Sequence, residues 1–63
     1  MNNKIKIERT IKGFTQQQLA DKVDVSRQTI NAVEAGKFTP SVALAMRIAN
    51  TLEKKVEEIF SLD

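Results

Sequence analysis

Residues 16–35, QQQLADKVDVSRQTINAVEA, predict two short helices joined by a tight turn. Thr15 and Ser26 are favourable N-cap residues, and each stands before a run whose apolar side chains recur at helical spacing. Asp24 and Val25 lie between the two runs and form the predicted turn. The second run reaches Ala35, where a glycine follows and ends the helix. These two helices decide how the rest of the chain is interpreted.

Three further helices are predicted around this pair. The first covers about Asn3 to Lys12 and ends at Gly13, a fourth begins after Ser41, and a short fifth includes Val56. No stretch shows the alternation of a strand, so the chain is predicted to be an all-α bundle with short connections. Its predicted core consists of Ile7, Ile11, Phe14, Leu19, Ala20, Val23, Val25, Ile30, Val33, Leu44, Ile48, Leu52 and Ile59.

The composition excludes several kinds of function. The chain has 63 residues with neither cysteine nor histidine, so it lacks the residues for a disulfide, a thiolate metal site or the usual general base. We expect one domain spanning residues 1–63, with no cofactor and no metal. An enzyme would need paired carboxylates in a pocket, and the acidic residues show no such pattern. No apolar run has the roughly 18 residues of a membrane span, and the N-terminus lacks a signal-peptide pattern, which favours a soluble cytoplasmic protein.

The net charge of +2 is unevenly distributed. Residues 1–37 contain seven basic and four acidic groups, whereas residues 38–63 contain three basic and four acidic groups. The N-terminal part therefore favours a polyanionic partner, although the difference in charge is a weak signal by itself.

The second helix of the pair has a polar outer face. With Ile30 and Val33 directed inward, helical spacing turns Arg27, Gln28 and Asn31 outward. Arginine can bind guanine through two hydrogen bonds, and glutamine or asparagine can bind adenine in the same way. A solvated surface would have the same composition, so these residues alone leave both interpretations open.

Longer runs separate the two interpretations. The segments TQQQLADKV (15–23), VSRQTIN (25–31), EAGK (34–37), PS (40–41), LAMRIA (44–49) and EEIF (57–60) together resemble the Cro/cI-type (XRE) helix-turn-helix family of transcriptional regulators. The chain resembles a minimal, single-domain member of that family. The resemblance implies a compact five-helix, lambda-repressor-like DNA-binding domain with its helix-turn-helix at about residues 16–35.

The resemblance also implies roles for individual residues. The third helix would enter the major groove, with Arg27, Gln28 and Asn31 at base edges. Arg9 and Glu34 would form a structural salt bridge, and the alternative for Arg9 is a phosphate contact. The phosphate contacts would come from Thr15, Gln16, Ser26, Thr29, Lys37 and Phe38, the last through its backbone.

Three positions depart from the family pattern. Asp24 occupies a turn position that is often glycine, and aspartate tolerates the left-handed conformation better than most residues. Glu8 stands where an apolar residue is usual, so the first helix is expected to be slightly rotated. Ala32 stands where the family often has a longer polar side chain that contacts bases. At that position we therefore expect at most a contact with a thymine methyl group.

The expected partner is double-stranded DNA with a palindromic operator, bound by a homodimer that acts as a repressor. The expected dimer surface includes Met46, Val56, Phe60 and Leu62. We expect no membrane association, no small-molecule ligand, and a prokaryotic or phage origin. The alternative is an antitoxin-like protein-interaction module that also binds DNA.

Overall fold

The computed structural model describes residues 1–62, which form five helices and two very short strands. The all-α prediction of a five-helix fold is confirmed, with the addition of the strands. No helix in this part of the chain is both long and apolar enough to cross a membrane. The elements are, in order, β1 (Asn2–Asn3), α1 (Ile5–Lys12), α2 (Gln16–Val23), α3 (Arg27–Glu34), α4 (Val42–Thr51), α5 (Val56–Ile59) and β2 (Phe60–Ser61).

Hydroxyl side chains fix where three of the helices begin. Thr15, Ser26 and Ser41 stand before α2, α3 and α4, and each accepts a hydrogen bond from the N–H three residues later, at 3.0–3.1 Å. These bonds satisfy N–H groups that have no partner inside the helix. At α2 the Gln18 side chain also accepts from the Thr15 N–H at 2.9 Å, which completes a capping box.

The turn between α2 and α3 has the predicted left-handed residue. Asp24 has φ 63° and ψ 45°, and its N–H bonds to the end of α2. The next residue, Val25, donates its N–H to the Ala20 carbonyl at 3.0 Å and packs its side chain partly against the core. The turn is therefore bonded to the end of α2 through its backbone and packs against the core through the Val25 side chain.

One apolar core joins the five helices. Phe14 and Val25 are half-buried at its margin. Ala49 is buried as well, at 2% exposure. The predicted core residues confirmed as buried are Leu19, Ala20, Val23, Ile30, Val33, Leu44, Ile48, Leu52 and Ile59.

The predicted inward face of α1 is wrong. Ile7 and Ile11 are 59% and 72% exposed, whereas Ile5 is fully buried. At 100° per residue, Ile5 and Arg9 lie on one face and Ile7 lies roughly opposite them. Because Arg9 is directed toward α3, the helix is rotated and both predicted core isoleucines lie on its outer side.

The two strands were not expected from the sequence. Asn2 pairs with Ser61 and Asn3 pairs with Phe60 in an antiparallel register, and the Lys4 N–H donates to the Ile59 carbonyl at 2.8 Å. We call this paired unit, β1 with β2, the terminal ribbon. It also explains why α1 begins at Ile5 instead of Asn3, since the first residues are extended.

Candidate nucleic-acid interface

The polar face of α3 is directed away from the core. Arg27, Gln28 and Asn31 are exposed, whereas Ile30 and Val33 on the opposite face are almost completely buried. The three residues predicted to approach base edges therefore lie on one accessible side of one helix. The helix is eight residues long and starts at Arg27, so two of the three side chains belong to its first turn.

The start of α2 lies beside this face. The Gln16 side-chain Nε2 donates to Asn31 Oδ1 at 3.2 Å and to Glu34 Oε1 at 3.1 Å. The hydrogen bonds join a predicted phosphate-binding residue to a predicted base-contacting residue. The structure thus brings the N-terminal end of α2 and the outer face of α3 together on one surface.

Arg9 and Glu34 form a nearly buried ion pair below that surface. Arg9 Nε lies 2.8 Å from Glu34 Oε2, and Arg9 Nη2 lies 3.3 Å from Oε1, so the contact is bidentate. The side chains are only 12% and 7% exposed. Arg9 Nη1 also donates to the Phe14 carbonyl at 2.8 Å. The pair ties α1 to α3 and neutralises the one carboxylate of the α3 segment.

The predicted phosphate-binding hydroxyls also serve as helix caps. The oxygens of Thr15 and Ser26 accept bonds from helix N–H groups, which leaves the hydroxyl hydrogens available to donate. Ser26 Oγ and Thr29 Oγ1 lie 3.0 Å apart and share one hydrogen between them. One of these two hydroxyls can therefore donate to a phosphate while the other donates to its neighbour.

The turn after α3 leaves the Lys37 side chain exposed, whereas the Phe38 backbone N–H is already hydrogen-bonded. Gly36 has φ 74°, and the N–H groups of Lys37 and Phe38 both donate to the Ala32 carbonyl, at 3.0 and 3.3 Å. A phosphate contact from the Phe38 N–H would have to replace this bond. The phosphate contact of the Phe38 backbone therefore stays a prediction.

Lys6 was missed from the sequence but lines the same surface. It is exposed and borders a shallow groove of about 260 Å³ together with Gln16, Asn31 and Ala35. Because Lys6 precedes Arg9 by three residues, the helical repeat places the two on neighbouring sides of α1. Since Arg9 is predicted to pair with Glu34 of α3, the three-residue spacing from Lys6 to Arg9 could have indicated that Lys6 lies near α3.

The predicted dimer residues differ in accessibility. Met46 and Leu62 are 53% and 92% exposed, whereas Val56 is half-buried against the core. Phe60 is only 9% exposed because it packs into the core and pairs in the terminal ribbon. Its side chain offers little area to a second protomer, which corrects its assignment. Val42, one turn before Met46, is 78% exposed and was not predicted.

A second ion pair joins the end of α1 to the turn after α4. Lys12 Nζ contacts Glu53 Oε1, and the hydrogen bond and positive charge of Lys12 hold the pKa of Glu53 below its usual value. The Glu53 side chain is 74% exposed, so solvent weakens the attraction. This pair involves none of the predicted DNA-binding residues.

Comparison with known proteins gives consistent matches. The model of a family described as helix-turn-helix matches residues 5–59. The chain is 50% identical to an HTH-type transcriptional regulator of Methanocaldococcus jannaschii over 60 residues, covering 95% of this chain and 91% of that protein. It is 40% identical to the HTH-type transcriptional regulator YgzD of Bacillus subtilis over 63 residues, covering 100% of this chain and 96% of YgzD.

Solved structures show the same architecture. The restriction-modification controller protein C.AhdI of Aeromonas hydrophila superposes with a TM-score of 0.82 at 28% identity, covering 89% of this chain and 85% of C.AhdI. The clp gene regulator ClgR of Corynebacterium glutamicum superposes with a TM-score of 0.81 at 26% identity, covering 86% of this chain and 57% of ClgR. The family model and the relatives show that the chain belongs to the Cro/cI-type (XRE) helix-turn-helix family of transcriptional regulators.

Proposed function

We propose that the protein is a sequence-specific repressor that binds double-stranded DNA as a homodimer, with α3 in the major groove. The observation that carries the proposal is the contact between Gln16 and Asn31, 3.2 Å between Nε2 and Oδ1. It joins the N-terminal end of α2, whose N–H groups can bind phosphate, to a side chain suited to a base edge. A recognition helix in the major groove contacts base edges while neighbouring parts of the domain contact phosphates.

Base recognition would rest on three side chains of α3. Arg27 and Gln28 are exposed in its first turn, the part of a recognition helix that approaches the bases. The Asn31 oxygen accepts from Gln16 and retains a second lone pair, while its Nδ2 remains a donor. Gln16 would thereby orient Asn31 for a two-bond contact with adenine.

Phosphate contacts would hold the helix in register. The N-terminal ends of α2 and α3 present N–H groups and the positive end of each helix dipole. The Thr15 hydroxyl and one of the Ser26–Thr29 pair can donate beside them. Lys37 beyond the far end of α3 and Lys6 in the adjacent groove would add positive charge on either side.

Two-fold symmetry would come from a second copy of the chain. One helix-turn-helix reads a half-site, so a palindromic operator requires two, with the recognition helices roughly 34 Å apart. The exposed apolar residues Val42, Met46 and Leu62, together with the margin at Val56, are the surface we propose for the dimer. A dimer seated on an operator blocks other proteins from that DNA, so binding alone is sufficient for repression.

The proposal is tested by selecting bound duplexes from a random pool and then titrating the selected sequence with salt. We expect a palindromic motif whose half-site centres are about one duplex turn apart. A reporter promoter containing that motif should lose expression when the protein is present. Enrichment of a single half-site would contradict the dimer, enrichment of no sequence would contradict specific recognition, and a rise in expression would contradict repression.

Replacing Arg27 by alanine is expected to weaken binding to the selected duplex by about 1–3 kcal/mol, because a bidentate base contact is lost. The thermal unfolding midpoint should remain unchanged, since Arg27 is exposed. Arg47→Ala is the matched control, because it removes the same charge from an exposed position on α4. Equal losses of affinity in both variants would indicate a general charge effect and would remove Arg27 from the base contacts.

Replacing Lys37 by alanine is expected to weaken binding to all duplexes by a similar factor. Loss of one phosphate contact should reduce the slope of log affinity against log salt by about 0.9. The measurement is a salt titration with the selected duplex and a scrambled one. Lys54→Ala serves as the control, since Lys54 is exposed and lies in the turn after α4. An unchanged slope for Lys37→Ala would argue against a phosphate contact there.

A further inference from the structure

The C-terminal end of α3 is held by a side chain from the terminal ribbon. Asn3 Nδ2 donates to the Val33 carbonyl at 2.8 Å and lies 3.5 Å from the Glu34 carbonyl. The last carbonyls of a helix have no partner within it. The Val33 carbonyl accepts from the Gly36 N–H at 3.0 Å, and the Asn3 amide is a second donor to it from the terminal ribbon. Asn3 thus contacts the α3 backbone directly, whereas Arg9 and Gln16 contact the Glu34 side chain.

Asn3 is itself held from two other directions. Its Oδ1 accepts from the Ile5 N–H at 3.2 Å, at the start of α1. Its backbone pairs with Phe60, and the adjacent Lys4 N–H donates to the Ile59 carbonyl at 2.8 Å. The amide therefore has a fixed position relative to α1 and α5, and it transmits that position to α3.

The N-terminal end of α3 is fixed differently. Ser26 caps it from within the helix-turn-helix, and the turn residue Val25 bonds back to α2. The C-terminal end is restrained from outside the helix-turn-helix, by the Arg9–Glu34 pair and by the Asn3 amide, so these contacts set the tilt of α3. Two-bond contacts with bases tolerate deviations of only about 0.5 Å and 10–20°. A restraint at the C-terminal end is therefore relevant to base recognition as well as to folding.

We propose that Asn3 is a positioning residue that sets the tilt of the recognition helix by bonding the Val33 carbonyl from the terminal ribbon. The inference rests on the proposed function, because the tilt matters only if α3 reads DNA. Asn3 would not contact DNA itself. It would act through α3 by keeping Arg27, Gln28 and Asn31 in register with the bases.

The deciding variant is Asn3→Asp. An ionised aspartate keeps the size of the side chain and the acceptor for the Ile5 N–H, but it cannot donate to the Val33 carbonyl. Asn2→Asp is the matched control, since it adds the same charge at an exposed position in the same strand. Affinities for the selected and a scrambled duplex are measured at a temperature where circular dichroism shows every variant folded.

We expect the ratio of specific to non-specific affinity to fall about five- to tenfold in Asn3→Asp, as for the loss of one hydrogen bond. Affinity for the scrambled duplex should change equally in Asn3→Asp and Asn2→Asp. The ratio of specific to non-specific affinity in Asn2→Asp should equal that of the wild-type protein. A merely structural role would lower the unfolding midpoint and leave the ratio unchanged, and this result would overturn the proposal. If the wild-type protein prefers no duplex, the proposed function fails instead, which is a separate outcome.

Hydrogen exchange of the wild-type protein gives a second test, which does not depend on whether a variant folds. The Asn3 side-chain hydrogens should exchange with solvent at least tenfold more slowly than those of the exposed Asn50. In Asn3→Asp the Gly36 N–H, which donates to the same Val33 carbonyl at 3.0 Å, should exchange faster than in Asn2→Asp. Equal exchange of the Asn3 and Asn50 side chains would show that the bond to α3 does not persist in solution and would overturn the proposal.

Discussion

Replacing Glu34 by alanine is expected to lower the free energy of unfolding by about 3 kcal/mol, because it leaves the nearly buried Arg9 guanidinium without its carboxylate. The Arg9 bond to the Phe14 carbonyl would remain, and it compensates for only part of the charge. A domain of this size has a total stability of roughly 3–9 kcal/mol. We therefore expect an unfolding midpoint lowered by about 10–20 °C in thermal denaturation.

Two further variants separate charge from packing. Glu57→Ala removes an exposed carboxylate and should change stability by less than about 0.5 kcal/mol. The double variant Arg9→Met with Glu34→Leu removes both charges, so its loss should be clearly smaller than the summed losses of Arg9→Met alone and Glu34→Leu alone. Additive losses in this cycle would mean that the two side chains stabilise the protein independently and would contradict the pair.

Replacing Ile5 by alanine is expected to destabilise the fold by about 2–4 kcal/mol, through lost apolar burial and the cavity that remains. Ile5 is fully buried and sits where α1 meets the core. The measurement is urea denaturation monitored by circular dichroism, with the midpoint and the slope analysed separately.

Ile11→Ala is the matched control for this variant. It makes the same chemical change on the same helix, at a side chain that is 72% exposed, and should cost less than about 0.5 kcal/mol. If Ile11→Ala proved as destabilising as Ile5→Ala, the orientation of α1 in the structure would be wrong and the sequence-based core would be restored.

The helix-turn-helix was predictable because its signals are local. Thr15 and Ser26 lie next to the helices they cap, and Asp24 lies at the turn it permits. These interactions involve residues a few positions apart, so spacing and residue type are sufficient to identify them. The inward residues Ile30 and Val33 then determine the outer face of α3 by the helical repeat.

The orientation of α1 could not be derived in the same way. Ile5, Ile7 and Ile11 are chemically alike, and the four-residue spacing of the last two suggested an apolar stripe. The long-range contact of Arg9 with Glu34, 25 residues away, favours the opposite orientation. The family resemblance implies that pairing, whereas the spacing of the isoleucines does not, so spacing alone could not orient α1.

The terminal ribbon and the contact of the Asn3 side chain with α3 could not be predicted from the sequence, for a different reason. Two residues are too few to show the alternation by which a strand is recognised. The Asn3 side chain bonds to backbone carbonyls, and every residue has a carbonyl, so no complementary side chain marks the partner. Phe60 was likewise assigned to a protomer surface because its pairing with Asn3 could not be seen.

The terminal ribbon also has a consequence for how the molecule folds. It joins Asn3 to Phe60, across nearly the whole chain, and closing so long a loop costs more conformational entropy than closing any turn between neighbouring helices. We expect the ribbon to form after the helices have packed and to open before they separate. Since Asn3 moves with the ribbon, the end of α3 would acquire its final restraint in the last step of folding.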